Sequence, residues 1–135
     1  MTRRLLLAVA ACGLAATAGC AHPDERGDAA AAVARQLAEA ATAGDGATAC
    51  ALLAPDTRAE LESSAGTPCA AAIGAEDLPA PAAVTAVDVY GESARVVTAT
   101  DTVFLGTFPG GWRVVAAGCT GRGDGRPYDC ALQGG

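Results

Sequence analysis

Lysine is absent from this 135-residue chain, and its single histidine, His22, stands near the N-terminus. All nine basic residues are arginines. Without lysine there is no amine for Schiff-base chemistry. With no histidine beyond His22, Ser-His-Asp and Cys-His catalysis and histidine-based zinc sites lack their central group. Aromatic residues make up only 4% of the chain, so any core must be built from small aliphatic side chains. Basic charge is scarce as well. Fifteen acidic residues outweigh the arginines and leave a formal net charge of −6. That balance argues against nucleic acid and against peripheral binding to anionic lipid, both of which need basic patches.

A hydrophobic run long enough to span a membrane is also missing. Residues 5–18 are apolar and follow Arg3 and Arg4. The run falls short of the ~20 residues of a transmembrane helix but suits the apolar region of a signal segment. Thr17-Ala18-Gly19-Cys20 closes it with small residues before a cysteine and resembles a lipobox, with Thr17 where that pattern prefers leucine. Val9-Ala10-Ala11-Cys12 fits the same pattern but would leave an apolar region of only about five residues. The expectation is a lipoprotein signal peptide over 1–19, a lipidated tether over 20–27 that begins at Cys20, and one domain over 28–135. Several acyl chains on one N-terminus give stable attachment. The mature protein then sits on the outer face of the cell membrane, held by its lipid. Removal of Arg3 and Arg4 makes it more acidic still.

Along the domain, the first half reads as helical and the second as strands. Asp28 is a candidate cap for a helix running to about Ala43, with Val33, Leu37 and Ala41 on one face and Gly44 as its stop. A Gly-Asp-Gly turn at 44–46 leads to a second helix carrying Cys50, Leu52 and Leu53 and ending at Pro55. Thr57 and Glu60 have the capping-box spacing for a third helix. Thr67-Pro68 opens a short fourth turn with Cys69 and Ile73. After the linker Leu78-Pro79-Ala80-Pro81 come strands over 84–90, 94–100, 102–108 and 112–118, with a fifth, short one over 128–132. Helices followed by an antiparallel meander predict an α+β fold with the helices on one face of the sheet. Val87, Val89, Val103, Leu105, Trp112 and Val114 are expected on the covered face.

Beyond Cys12 and Cys20, four cysteines remain: Cys50, Cys69, Cys119 and Cys130. They allow three pairings, of which the sequential one, Cys50–Cys69 and Cys119–Cys130, is the simplest. A four-thiolate metal site would want closely spaced C-x-x-C pairs, which are absent. An oxidising compartment favours disulfides. No metal and no cofactor is implied. The Gly-rich stretch 118–125 lacks the lysine and helix start of a phosphate loop. The two Arg-Gly-Asp tripeptides, at 26–28 and 122–124, fit chance in a chain rich in these residues.

Ala43-Gly44-Asp45-Gly46 leading to Cys50-Ala51-Leu52-Leu53-Ala54-Pro55 and Cys69, then Asp101-Thr102-Val103-Phe104-Leu105, Gly111-Trp112-Arg113-Val114, Ala117-Gly118-Cys119 and Tyr128-Asp129-Cys130, together resemble small actinobacterial lipoproteins with a nuclear transport factor 2-like (cystatin-like cone) domain. The resemblance implies a curved antiparallel sheet of four to five strands wrapped on helices, often with a pocket at the open end. Asp88, Tyr90, Asp101 and Trp112 are the candidate pocket residues. For Asp88 and Arg95 the simpler alternative is a cross-strand pair on the solvent face, for Asp101 a turn, and for Trp112 a core anchor. The favoured function is a non-catalytic binding or interaction module, whose partner is a membrane protein or a small apolar ligand. The alternatives are a small cone-fold enzyme on an apolar carbonyl-type substrate, using Asp88, Tyr90 or Asp101, and a redox or envelope-stress sensor acting through Cys119–Cys130. Fold alone does not choose among them.

Overall fold

A computed structural model describes residues 22–135. The leader, Cys12 and Cys20 lie outside the described residues. The chain runs α1 (Pro23–Thr42), α2 (Gly46–Ala51), α3 (Pro55–Ala65), α4 (Cys69–Ala72), a 3-10 turn (Ile73–Ala75), then β1 (Val84–Tyr90), β2 (Ser93–Thr98), β3 (Thr102–Phe108), β4 (Gly111–Thr120) and β5 (Asp129–Gln133). The strands form one antiparallel sheet in sequence order, β1-β2-β3-β4-β5. The fold is α+β, with helices first and a five-stranded meander after them.

α1 starts at Pro23, so Asp28 is not its cap, and residues 23–27, expected in the tether, are helical. Pro23 sits where its missing N–H costs nothing. Asp24 and Glu25 in the first turn oppose the positive end of the helix dipole. The Glu25 carboxylate accepts the His22 backbone N–H at 3.2 Å. The buried stripe is Ala30, Ala34 and Leu37, flanked by Ala31 and Ala40. Val33 and Ala41, expected at its centre, lie at its half-buried margin. Beyond Thr42, Gly44 turns the chain at φ +73°, and Asp45 caps α2 by accepting the Thr48 N–H at 3.1 Å.

α3 also departs from expectation. Pro55 opens it instead of ending α2, and the expected Thr57–Glu60 capping box does not form, because Ala54 is the cap. Thr57 is buried, and its hydroxyl donates to the Val115 carbonyl on β4 at 2.8 Å. Pro68, expected inside α4, is its cap. Leu53, expected in α2, belongs to a short bridge with Val114. There the Ala54 N–H donates to the Val114 carbonyl and the Val114 N–H to the Leu52 carbonyl, both at 2.8 Å. β5 ends before it reaches that part of β4, so residues 52–54 satisfy the backbone groups that would otherwise be left unpaired.

Two disulfides reinforce the frame. Cys50–Cys69 ties α2 to α4, and Cys119–Cys130 joins β4 to β5 at directly opposed positions. Val103, Leu105, Trp112 and Val114 are buried on the helix-covered face, and Val87 and Val89 pack at its edge. Alanine is the commonest residue of this core, so each position buries little area. Full burial of a larger aliphatic such as Val96 or Ile73 contributes roughly 1.5–3 kcal/mol.

Candidate functional site

The strand periodicity that buries Val87 and Val89 turns Asp88 and Tyr90 to the opposite, uncovered face. There Asp88 stands directly across from Arg95 on β2. The Arg95 Nε and Nη2 both donate to Asp88 Oδ2, at 3.1 and 2.6 Å. The hydrogen bond to Asp88 holds the Arg95 guanidinium above its ordinary range, with the carboxylate's charge and Tyr128 adding to it. Both side chains are more than a third exposed, so solvent screens the pair and it adds little to stability. Tyr90 is 66% exposed at the end of β1.

Asp101 lies in the β2–β3 turn. Its Oδ1 accepts the Thr98 hydroxyl at 2.6 Å, and its Oδ2 accepts the Gly118 N–H of β4 at 3.1 Å. Thr98 Oγ1 in turn accepts the N–H groups of Thr100 and Asp101. The carboxylate therefore fastens a turn to the neighbouring strand. Gly118 is needed there. It has φ +63°, and a Cβ on it would come within 2.9 Å of the Ala131 Cβ. Trp112 is 6% exposed and anchors the core, with the Arg26 guanidinium 5.3 Å from its ring centre.

The four candidate pocket residues do not converge. Asp88 and Tyr90 lie on the uncovered sheet face, Trp112 lies beneath the helices, and Asp101 sits at the far end of the sheet, on the polar rim of an apolar crevice. That crevice is formed by Ala34, Leu37 and Ala38 of α1, Leu78, Pro79 and Pro81 of the linker, and Val84, Val103 and Ala117 of the sheet. It holds about 30 Å³, room for one or two waters, whereas ligand pockets span ~300–1,000 Å³. A larger hollow of about 530 Å³ beside it, bordered by Asp77, Asp101 and Asp129, lies open to solvent. Among the described residues, no group of three or more acidic, Cys or His side chains is arranged to hold a metal ion. The crevice was not anticipated from the sequence. Its signal was the linker, which is free of charge and carries Leu78 between α-helical alanines and valine-rich strands.

On the uncovered face, the Phe104 and Tyr128 rings meet edge-on, 4.9 Å apart. Gly106 leaves space in which the Phe108 ring and the Val115 side chain lie, within 3.3 and 3.5 Å of where its Cβ would be. Tyr90, Phe108 and Val115 are the exposed large apolar side chains of the described residues. Among the described residues no helix is long and apolar enough to cross a membrane. Comparison of the chain with protein-family models, with curated proteins and with solved structures gives no match, so the α+β architecture stands on the chain's own residues.

Proposed function

We propose that the protein is a membrane-tethered, extracytoplasmic protein-interaction module without a catalytic role. It is built on a nuclear transport factor 2-like cone domain and anchored by lipid on Cys20. The two disulfides support an oxidising compartment. The order of helices and meander supports the cone. The observation that carries the reading is the contrast between the two faces of the sheet. The best-sheltered space on the helix-covered face is a crevice of about 30 Å³, below the size of a ligand pocket, and the larger hollows at its margins, of about 450 and 530 Å³, lie open to solvent. The other face is uncovered and bears Phe104, Val115 and Tyr128, the kind of aromatic and aliphatic surface that protein interfaces use. Asp88 and Asp101 are occupied in holding Arg95, Thr98 and Gly118.

Native mass spectrometry of the protein gently extracted from its own membranes tests this. The expected species carries acyl chains on Cys20, is lighter by the four hydrogens of two disulfides, and retains a membrane-protein partner. A chain with a free, unacylated Cys20 overturns the anchor. A chain that retains a small molecule and no protein overturns the interaction reading in favour of a carrier.

A further inference from the structure

We infer that the end of the sheet carrying the β1–β2 and β3–β4 turns rests on the lipid bilayer, with Tyr90 and Phe108 placed in its headgroup region. This rests on the reading that Cys20 is lipidated. Chain length holds the start of α1 close to the lipid. Only Ala21 and His22 separate Cys20 from the first residue of α1. Three Cα–Cα steps of 3.8 Å reach about 11 Å at most, so the first turn of α1 cannot leave the membrane surface.

That turn is fixed at one end of the sheet. Arg26 donates through Nη2 to the Gly91 carbonyl of the β1–β2 turn at 2.6 Å, and its guanidinium lies over Trp112 at the start of β4. Gly27 packs against Val87 and Val89. From there α1 crosses the sheet, and Ala34 and Leu37 reach Val84, Thr98 and Ala117 at its other end. The α1 start, the β1–β2 turn and the β3–β4 turn therefore share one end of the domain, and a lipid on Cys20 draws that end to the bilayer.

This end exposes two aromatic side chains. Tyr90 and Phe108 flank its two turns and are 66% and 36% exposed. Tyrosine is favoured at membrane interfaces because its ring is apolar and its hydroxyl stays wet. The same end carries Asp24, Glu25, Asp28 and Glu92 against Arg26 and Arg113, so the surface suits a zwitterionic lipid and not an anionic one. The far end, with Asp101 and the loop over 121–128, points away from the membrane.

The experiment reconstitutes the acylated protein in phosphatidylcholine vesicles containing a lipid with a nitroxide on its headgroup, a short-range quencher of tryptophan. The variants are Tyr90→Trp, Phe108→Trp and, as the far-end control, Arg126→Trp. The parent, with buried Trp112 alone, is the baseline. Intact masses with both disulfides, and a far-ultraviolet circular dichroism spectrum unchanged from the parent's, check that each variant is folded. The expected result is loss of the added emission at positions 90 and 108 and none at 126, with the loss diminished when anionic phosphatidylglycerol is mixed in. Acylated protein that floats with the vesicles but shows no quenching at 90 or 108, or equal quenching at 126, overturns the orientation while leaving the anchor standing. An unacylated Cys20 overturns both.

Discussion

The hydroxyl of buried Thr57, in the first turn of α3, donates to the carbonyl of Val115 in the middle of β4, 2.8 Å away. This bond links the helical layer to the sheet at the point where β4 has passed beyond the end of β5. The Val115 carbonyl also accepts the Gly134 N–H at 3.1 Å, so it keeps one donor if the hydroxyl is lost. Thr57→Val, which preserves shape, is expected to lower stability by about 1 kcal/mol. Urea unfolding with an unchanged slope would report it, and an unchanged midpoint would show that the bond contributes nothing net.

Gly46, the first residue of α2, faces the backbone of α4. A Cβ there would stand 2.1 Å from the Ala70 carbonyl oxygen. That oxygen belongs to a segment held by the Cys50–Cys69 disulfide, so it cannot swing aside as a flexible side chain would. Gly46→Ala is expected to destabilise by about 3 kcal/mol, the upper end of overpacking costs. Gly74→Ala, where a Cβ meets nothing within 4 Å, is the matched control and should leave the midpoint nearly unmoved.

The two disulfides differ in shelter. Cys50 and Cys69 are both buried, whereas Cys130 is half-buried on the edge strand β5. Graded dithiothreitol followed by alkylation and mass mapping should label Cys119 and Cys130 before Cys50 and Cys69, since exchange requires access to sulfur. Each bridge should stabilise the chain by ~3 kcal/mol, because loop length enters only logarithmically. Labelling in the reverse order would contradict this account.

Glu62 is held below its ordinary value of 4.5, first by the Cys69 N–H it accepts and then by Arg58. A carboxylate whose folded pKa is depressed contributes stability above its unfolded pKa and loses it as pH falls through the folded one. Stability should therefore decline on acidification below about pH 4.5, the unfolded value. Glu62→Gln, which keeps an acceptor for Cys69 but cannot titrate, should flatten that part of the profile. Thermal melts of both proteins between neutral and acid pH would decide it; parallel curves would remove Glu62 from the explanation.

Strand periodicity was legible in the sequence wherever alternation was strict. β1 and β3 occupy the expected residues 84–90 and 102–108, and the apolar set Val103, Leu105, Trp112 and Val114 lies on the covered face. The sequential cysteine pairing follows the meander, which brings Cys119 and Cys130 opposite one another. Helix starts were less legible because competing signals sat close together. Asp28 and Thr57 both have the chemistry of a cap, yet Pro23 and Pro55 set the first turns. The Thr57 hydroxyl answers a carbonyl 58 residues away, which local spacing cannot reveal. At the candidate site the simpler alternative was legible: the hairpin register makes Asp88 and Arg95 the cross-strand pair their spacing suggests.

The neighbour-to-neighbour order of the five strands also bears on how the molecule is acquired. Each strand pairs with the one just before it, so four short hairpin closures can zip the sheet without threading any segment past another. Contacts of small sequence separation are gained quickly. The long loop closures are those that join helices to sheet, residues 52–54 and Thr57 onto β4 and Arg26 onto the β1–β2 turn. Sheet growth is a local process, and the seam between helices and sheet is where distant parts of the chain have to meet.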